Sequence, residues 1–294
     1  MSDSVPNPVR GIEAVLPSRE TIEGAGVHLR RAFGYYEVPK LDPFLLLDDF
    51  RSQNPAEFVA GFPWHPHRGI ETVTYMLDGF VEHEDSIGNK GVIRSGDVQW
   101  MTAGSGIIHQ EMPKHLNDGK MGGFQLWVNL PSDRKMMDPR YQEVKDARIP
   151  QVEASKGVAV RVIAGEVAGV RGPVRDIVVE PEYLDVRIAP HTVFDHPVRR
   201  GHRAFAYVLA GRGHFDDASG EVVDSENLVL FRDGERVRIE AMEQPLRFLL
   251  VSGKPLHEPV AWWGPIVMNN RHELETAVEE FQEGTFVKHP HPRG

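Results

Sequence analysis

Two short segments carry residues whose types and spacing could do metal chemistry. In "GFPWHPHRGIE" (61–71), His65 and His67 are separated by one proline, and in "GSGIIHQEMP" (104–113), His109 and Glu111 are separated by one glutamine. A β-strand turns successive side chains to opposite faces, so residues i and i+2 point the same way. If the two segments are facing strands of a small barrel, His65, His67, His109 and Glu111 converge. Three neutral imidazoles and one carboxylate suit a single borderline first-row divalent ion, and iron(II) fits best in kind, with Mn, Ni, Co, Cu or Zn able to substitute. Four protein ligands in an octahedral set leave two positions for water, dioxygen or a chelating substrate. A structural zinc site, by contrast, is closed by its four ligands.

The elements that would position these residues read as strands between tight turns. "GIETVTYMLDG" (69–79) is β-branched and aromatic and stops at Asp78-Gly79, "GNKG" (88–91) leads into "VIRSGDVQWMTAG", and "GGFQLWVNLP" begins at Gly122. The stretch 131–157 is polar and charged and reads as a connection. The second half then repeats the style of the first. "TVTYMLDGFVEHE" matches "AFAYVLAGRGHFD", and "GDVQWMTAG" matches "ENLVLFRDG", as a duplication would produce. The expected division is an N-terminal metal-binding β domain over 1–135, a linker over 136–156, and a second β domain over 157–294 that carries the terminal helix. Near the end, Leu274, Ala277, Val278 and Phe281 follow helical spacing, with Asn270 and Glu273 placed as a cap and Gly284 as a stop.

Other histidines have plainer readings. His83 in "VEHEDS" reads as a solvated hairpin end. His191, Asp195 and His196 form neither H-x-H nor H-x-E, so no metal is expected in the second half. Arg68 should face away from His67. Trp100 and Met101 fit a pocket wall or a core equally well, and the H-P-H at His289 and His291 reads as a tail.

Composition narrows the function classes. The 294 residues are 40% hydrophobic, ample for a core, and 33 basic against 43 acidic residues give a formal charge of −10. That balance disfavours direct nucleic-acid binding as the main task. With no cysteine there is no disulfide framework and no thiolate chemistry. The sequence shows no secretory signal and no apolar run of the roughly 18 residues a membrane helix needs. A cytoplasmic protein is expected, with nuclear entry left open.

The run "GFPWHPHRGIETVTYMLDGFVEHEDSIGNKG", continuing through "GDVQWMTAGSGIIHQEMP", resembles the signature region of the pirin family of the cupin superfamily. The resemblance is dense from about Leu41 to Pro131 and extends more loosely over the chain, including "LRRAFG". It implies an all-β bicupin, two cupin-type β-barrels with here a short C-terminal helix, and one metal in the N-terminal barrel. In pirins the ligands are the histidines of the H-P-H segment and the histidine and glutamate of the H-x-E segment, which are His65, His67, His109 and Glu111 here. Many other cupins use a carboxylate where Glu71 stands, so Glu71 is assigned a supporting role. Proteins similar to pirins open the ring of flavonols such as quercetin with dioxygen, which implies a small aromatic substrate and Glu111 as both ligand and base. Other family members act as iron-dependent, redox-sensing coregulators through protein partners, and that is the alternative. Some cupins also isomerise or decarboxylate small molecules.

Overall fold

The computed structural model describes residues 8–115 and 119–289. The expected all-β architecture with a short C-terminal helix is what the chain forms. It divides into two compact units, each containing one seven-stranded and one four-stranded antiparallel sheet.

The unit that holds the H-x-H and H-x-E segments comprises residues 19–148 and 256–289. Its large sheet runs, in spatial order, Arg140–Val144, Val98–Thr102, Ile70–Asp78, Gly122–Asn129, Phe44–Asp49, Val27–Phe33 and Arg19–Glu23. Its small sheet runs Phe62–His67, Ile107–Lys114, Phe80–Asp85 and Lys90–Arg94. An apolar cluster of Val27, Leu29, Phe50, Met76, Val81 and Ile93 joins strands of the two sheets.

The companion unit comprises residues 8–18 and 149–255. Its large sheet runs Ile12–Pro17, Asn227–Phe231, Arg203–Ala210, Leu246–Gly253, Glu182–Ile188, Val158–Ala164 and Gln151–Ser155. Its small sheet runs Val193–Pro197, Arg236–Ala241, Arg212–His214 and Val222–Asp224. Strand for strand the two orders correspond, and the segments matched by eye in the sequence occupy equivalent places, as a duplicated fold requires.

The division differs from the continuous one expected. Residues 136–156 are not a linker: Arg140–Val144 pairs with Val98–Thr102, and Gln151–Ser155 pairs with Val158–Ala164. The first strand, Ile12–Pro17, pairs with Asn227–Phe231 in the companion unit, whereas the C-terminal helix belongs with the histidine unit. An edge strand's backbone groups are satisfied by whichever open edge fits, and sequence proximity does not decide which.

The helix Arg271–Gln282 starts as the sequence implied, with Asn270 Oδ1 accepting from the Glu273 N–H. Glu273 Oε2 in turn accepts from the Asn269 N–H at 3.0 Å. Leu274, Ala277 and Val278 pack on Ile266, Met268 and Phe286, which fixes the helix to the hairpin of strands Ala261–Trp263 and Ile266–Met268. No helix among the described residues is long and apolar enough to cross a membrane.

Candidate metal centre

The strand Phe62–His67 lies at an edge of the small sheet, a position that accommodates Pro63 and Pro66. It pairs with Ile107–Lys114 so that His65 faces His109 and His67 faces Ile107. The register slips between His109 and Glu111, where Glu111 comes opposite Phe62, leaving Pro63 and Trp64 as the bulge. The bulge turns the Pro63 carbonyl back onto the next histidine: His65 Nδ1 donates to it at 2.8 Å. His67 Nδ1 donates to the carbonyl of Pro265 at 3.2 Å, a partner 198 positions along the chain.

These two hydrogen bonds fix the tautomers, because a carbonyl can only accept. With Nδ1 protonated in both neutral rings, both Nε2 atoms present lone pairs, and they lie 3.1 Å apart. Two lone pairs at that distance repel unless something electron-poor lies against both. A proton is a poor candidate: burial lowers the His65 pKa and, with the neighbouring imidazole adding to it, holds His67 well below the usual histidine value. His109 is likewise held well below, by burial first and then by His67 and His65, and both its ring nitrogens are buried without a hydrogen-bond partner. The ligand atoms of His65, His67 and His109 lie within 4.8 Å of one another. Two adjacent nitrogens each about 2.1 Å from one ion would be about 3 Å apart. The three-histidine group could therefore bind a metal, and its chemistry suits a borderline divalent ion.

Glu111 stands on the same strand as His109, buried, and lines the cavity with His65 and His67. Its carboxylate lies outside the compact three-nitrogen group and is held from the large sheet. Thr74 Oγ1 donates to Oε1 at 3.3 Å and Gln125 Nε2 donates to Oε2 at 3.2 Å. Burial pushes the carboxyl up to about 7, with these two hydrogen bonds opposing the rise. A divalent cation nearby would draw it down again.

Arg68, Lys135 and Gly69 tie the segments around the centre together. Arg68, buried and facing away from His67, donates to the carbonyls of Ser105 and Phe286 at 2.7 Å each and to Glu280 at 2.7 Å, tying the C-terminal segment to the ligand strand. Lys135, also buried, donates at 2.8–2.9 Å to the carbonyls of Gly69 and Val267 and to Asn129 Oδ1. Gly69 sits at φ +76°, and a Cβ there would lie 2.0 Å from the Val267 carbonyl oxygen, so only glycine allows this close approach. The C-terminal helix thus packs on the segment whose Pro265 carbonyl orients His67.

Several other readings need correction or placement. His83 is not a solvated hairpin end: it is buried opposite Glu111, with its Nε2 3.0 Å from Glu143 Oε1 and 2.9 Å from Gln99 Nε2, and it stacks on Tyr141. Alternation along Phe80–Asp85 turns it inward, a consequence of pairing that the acidic neighbours concealed. Glu71 faces away from the histidines, accepting from Trp100 Nε1 at 3.1 Å and Thr102 Oγ1 at 2.7 Å. Trp100 shares that outer face, while Met101 packs with Ala103 and Ile107. In the companion unit His196 pairs with Glu182 at 2.8 Å, Asp195 with Arg236 and Arg238, and His191 is exposed. His289 pairs with Asp138 at 3.0 Å, and His291 lies outside the described residues.

His65 and His67 open onto a cavity of about 640 Å³, within the usual range for small-molecule sites. One side is aromatic in an unbroken series. The His67 ring lies 5.1 Å from Trp127, Trp127 6.0 Å from Trp262, and Trp262 5.6 Å from the half-exposed Tyr35. The other side follows one register row of the large sheet, where Thr74, Gln125, Asp48 and Arg31 sit on successive neighbouring strands. Arg31 donates in a fork to both Asp48 oxygens at 2.8 Å and pairs with Glu23 at 2.9 Å.

Comparison with known proteins agrees with this architecture. Residues 26–128 match the pirin family model and residues 183–287 match the pirin C-terminal cupin domain. The chain is 43% identical over 280 residues to a pirin-like protein of Caulobacter vibrioides, covering 95% of this chain and all of that one. It is 42% identical over 270 residues to human pirin, covering 90% of each. Among solved structures, a quercetin 2,3-dioxygenase from Acinetobacter baumannii superposes with a TM-score of 0.87 at 32% identity, covering 95% of this chain and 99% of that one. Fold and similarity agree, and the chain belongs to the pirin family.

Proposed function

We propose that this protein is a metal-dependent dioxygenase that opens the ring of quercetin-type flavonols. The observation that carries the reading is the pair of His65 and His67 Nε2 lone pairs, 3.1 Å apart and locked by carbonyls, lining an aromatic-walled cavity beside His109, whose ring nitrogens are buried without a hydrogen-bond partner. The similarity to a solved quercetin 2,3-dioxygenase supports the same activity. His65, His67, His109 and Glu111 would hold one divalent ion, with iron(II) the best fit in kind. When bound, the ion supplies Lewis acidity and a meeting place for a chelating enol and dioxygen.

The residues of the chain do the rest. Glu111 is the anionic group beside the histidines, on the same strand as His109, and is placed to take the proton of an incoming 3-hydroxyl. Thr74 and Gln125 hold that carboxylate while it accepts. Trp127 and the other apolar side chains of the lining would limit water around a bound substrate.

The deciding experiment is oxygen-dependent loss of quercetin absorbance by protein loaded anaerobically with iron(II), with His109→Ala as control. Turnover lost in the variant is the expected result. Full metal occupancy without turnover would sink the dioxygenase reading and favour an iron-dependent regulatory role through a protein partner.

A further inference from the structure

The cavity has two arrays that both begin at the metal centre and end at its rim. The aromatic one passes from His67 through Trp127 and Trp262 to Tyr35. The polar one passes from Glu111 through Gln125 to Asp48, Arg31 and Glu23. Because neighbouring strands are about 4.8 Å apart, Asp48 lies one spacing beyond Gln125 and Arg31 two. Glu23 is 42% exposed and marks the outer end.

The two arrays ask for a particular shape. Rings in edge and tilted contact make a wall that a flat π-system can lie against, and a bent ring system loses most of that contact. The polar row is a line of hydrogen-bonding groups along one edge of the same space. Its far end carries a fixed charge pattern: one guanidinium between two carboxylates. A carboxylate or phosphate on the ligand would meet a net negative cluster whose only cation is already forked onto Asp48. A ligand ammonium would have to sit beside that guanidinium. A neutral donor fits both constraints, since each Asp48 oxygen keeps a lone pair beyond the one Arg31 uses. Asp48 is itself buried at the cavity wall, so an unmet lone pair there is costly and a donor that meets it is favoured.

We propose that Asp48, held by Arg31 and Glu23, is the specificity residue of this pocket, accepting a phenolic hydroxyl remote from the metal-binding oxygen of a flat polyphenol laid along Trp127 and Trp262. The inference rests on the flavonol reading and names the part of the substrate that the pocket recognises. It concerns binding, and its test does not depend on ring opening.

Iron(II)-loaded protein is titrated without oxygen, following tryptophan fluorescence, with three probes. Quercetin carries the remote catechol hydroxyls, galangin is the same flavonol without them, and taxifolin keeps the hydroxyls on a bent, saturated ring. Wild type should bind quercetin at least about tenfold tighter than either analogue, about 1.4 kcal/mol. Asp48→Asn should bring quercetin to within about twofold of galangin while leaving galangin affinity in place, and the retained galangin binding shows an intact pocket. Trp262→Ala should shrink the preference for quercetin over taxifolin. If Asp48→Asn fails to fold, the wild-type comparison of quercetin with galangin still decides. Equal affinity for those two, or a preference that survives Asp48→Asn, overturns the proposal. Intact discrimination without turnover would overturn the dioxygenase reading and leave this one standing.

Discussion

The same row of the large sheet is built twice in this molecule with opposite chemistry. In the histidine unit the paired residues on successive strands are Arg31, Asp48, Gln125, Thr74 and Gln99. In the companion unit the equivalent paired row is Val162, Leu184, Leu250, Ala206 and Val229, all buried in one apolar cluster. The small sheets differ in the same way. Where His65 faces His109, the companion unit sets Phe194 against Ile239, and its one inward histidine, His196, is bound to Glu182. One topology therefore supports two interiors. Filled with branched side chains, the barrel is a core; lined with hydrogen-bonding groups, it keeps a cavity and a centre that can hold a cation. The fold tolerates either because strand pairing satisfies the backbone regardless of which side chains face inward.

The comparison can be broken most severely at the centre itself. His109→Ala should lower metal affinity by more than about 100-fold and abolish turnover, checked by metal content after dialysis; the loss exceeds what removing a supporting group costs. In the companion unit, Leu250→Ala should cost about 2–5 kcal/mol of stability by thermal or urea unfolding while leaving metal content unchanged. A change in metal stoichiometry there would mean the two interiors are not independent.

Metal-free protein should show the polar interior as a pH effect. Glu111 and Asp48 are raised by burial to about 7 and about 6, so the folded state keeps protons that the unfolded chain has already released above pH 4–5. With fewer protons on the unfolded state, stability must fall as pH rises through about 4.5 to 7, by roughly 3 kcal/mol for Glu111 alone. Glu111→Gln should flatten that slope in melting curves recorded between pH 5 and 7.5. The smallest effect is expected from Gln125→Leu, which copies the companion row's leucine into the histidine unit. It removes one hydrogen bond that favours ionised Glu111, so the acidic limb of the pH–rate profile should move upward and turnover should fall by about 10–100-fold. An unmoved limb would dissociate Gln125 from Glu111.

Much of the centre was legible because a strand has period two. H-P-H and H-Q-E each place two donors on one face, and turn residues such as Asp78-Gly79 mark where the strands stop. What escaped were features decided by partners far away in the chain. His83 looks solvated among acidic neighbours yet is turned inward by its pairing with Ile107–Lys114. The segment 136–156 looks like a linker because it is polar, yet its strands complete an edge of each large sheet.

The sequence by itself determined the strand content and the duplicated pattern and pointed to His65, His67 and His109, which the structure brings together, since each depends on local periodicity and residue type. Only the tertiary structure decided which units the chain's ends join, that the Pro265 carbonyl sets the His67 tautomer, and that Asp48 and Arg31 extend a row begun at Glu111. Sheet pairing is non-local: a hydrogen bond reaching 198 positions along the chain leaves no trace in the residues beside either partner.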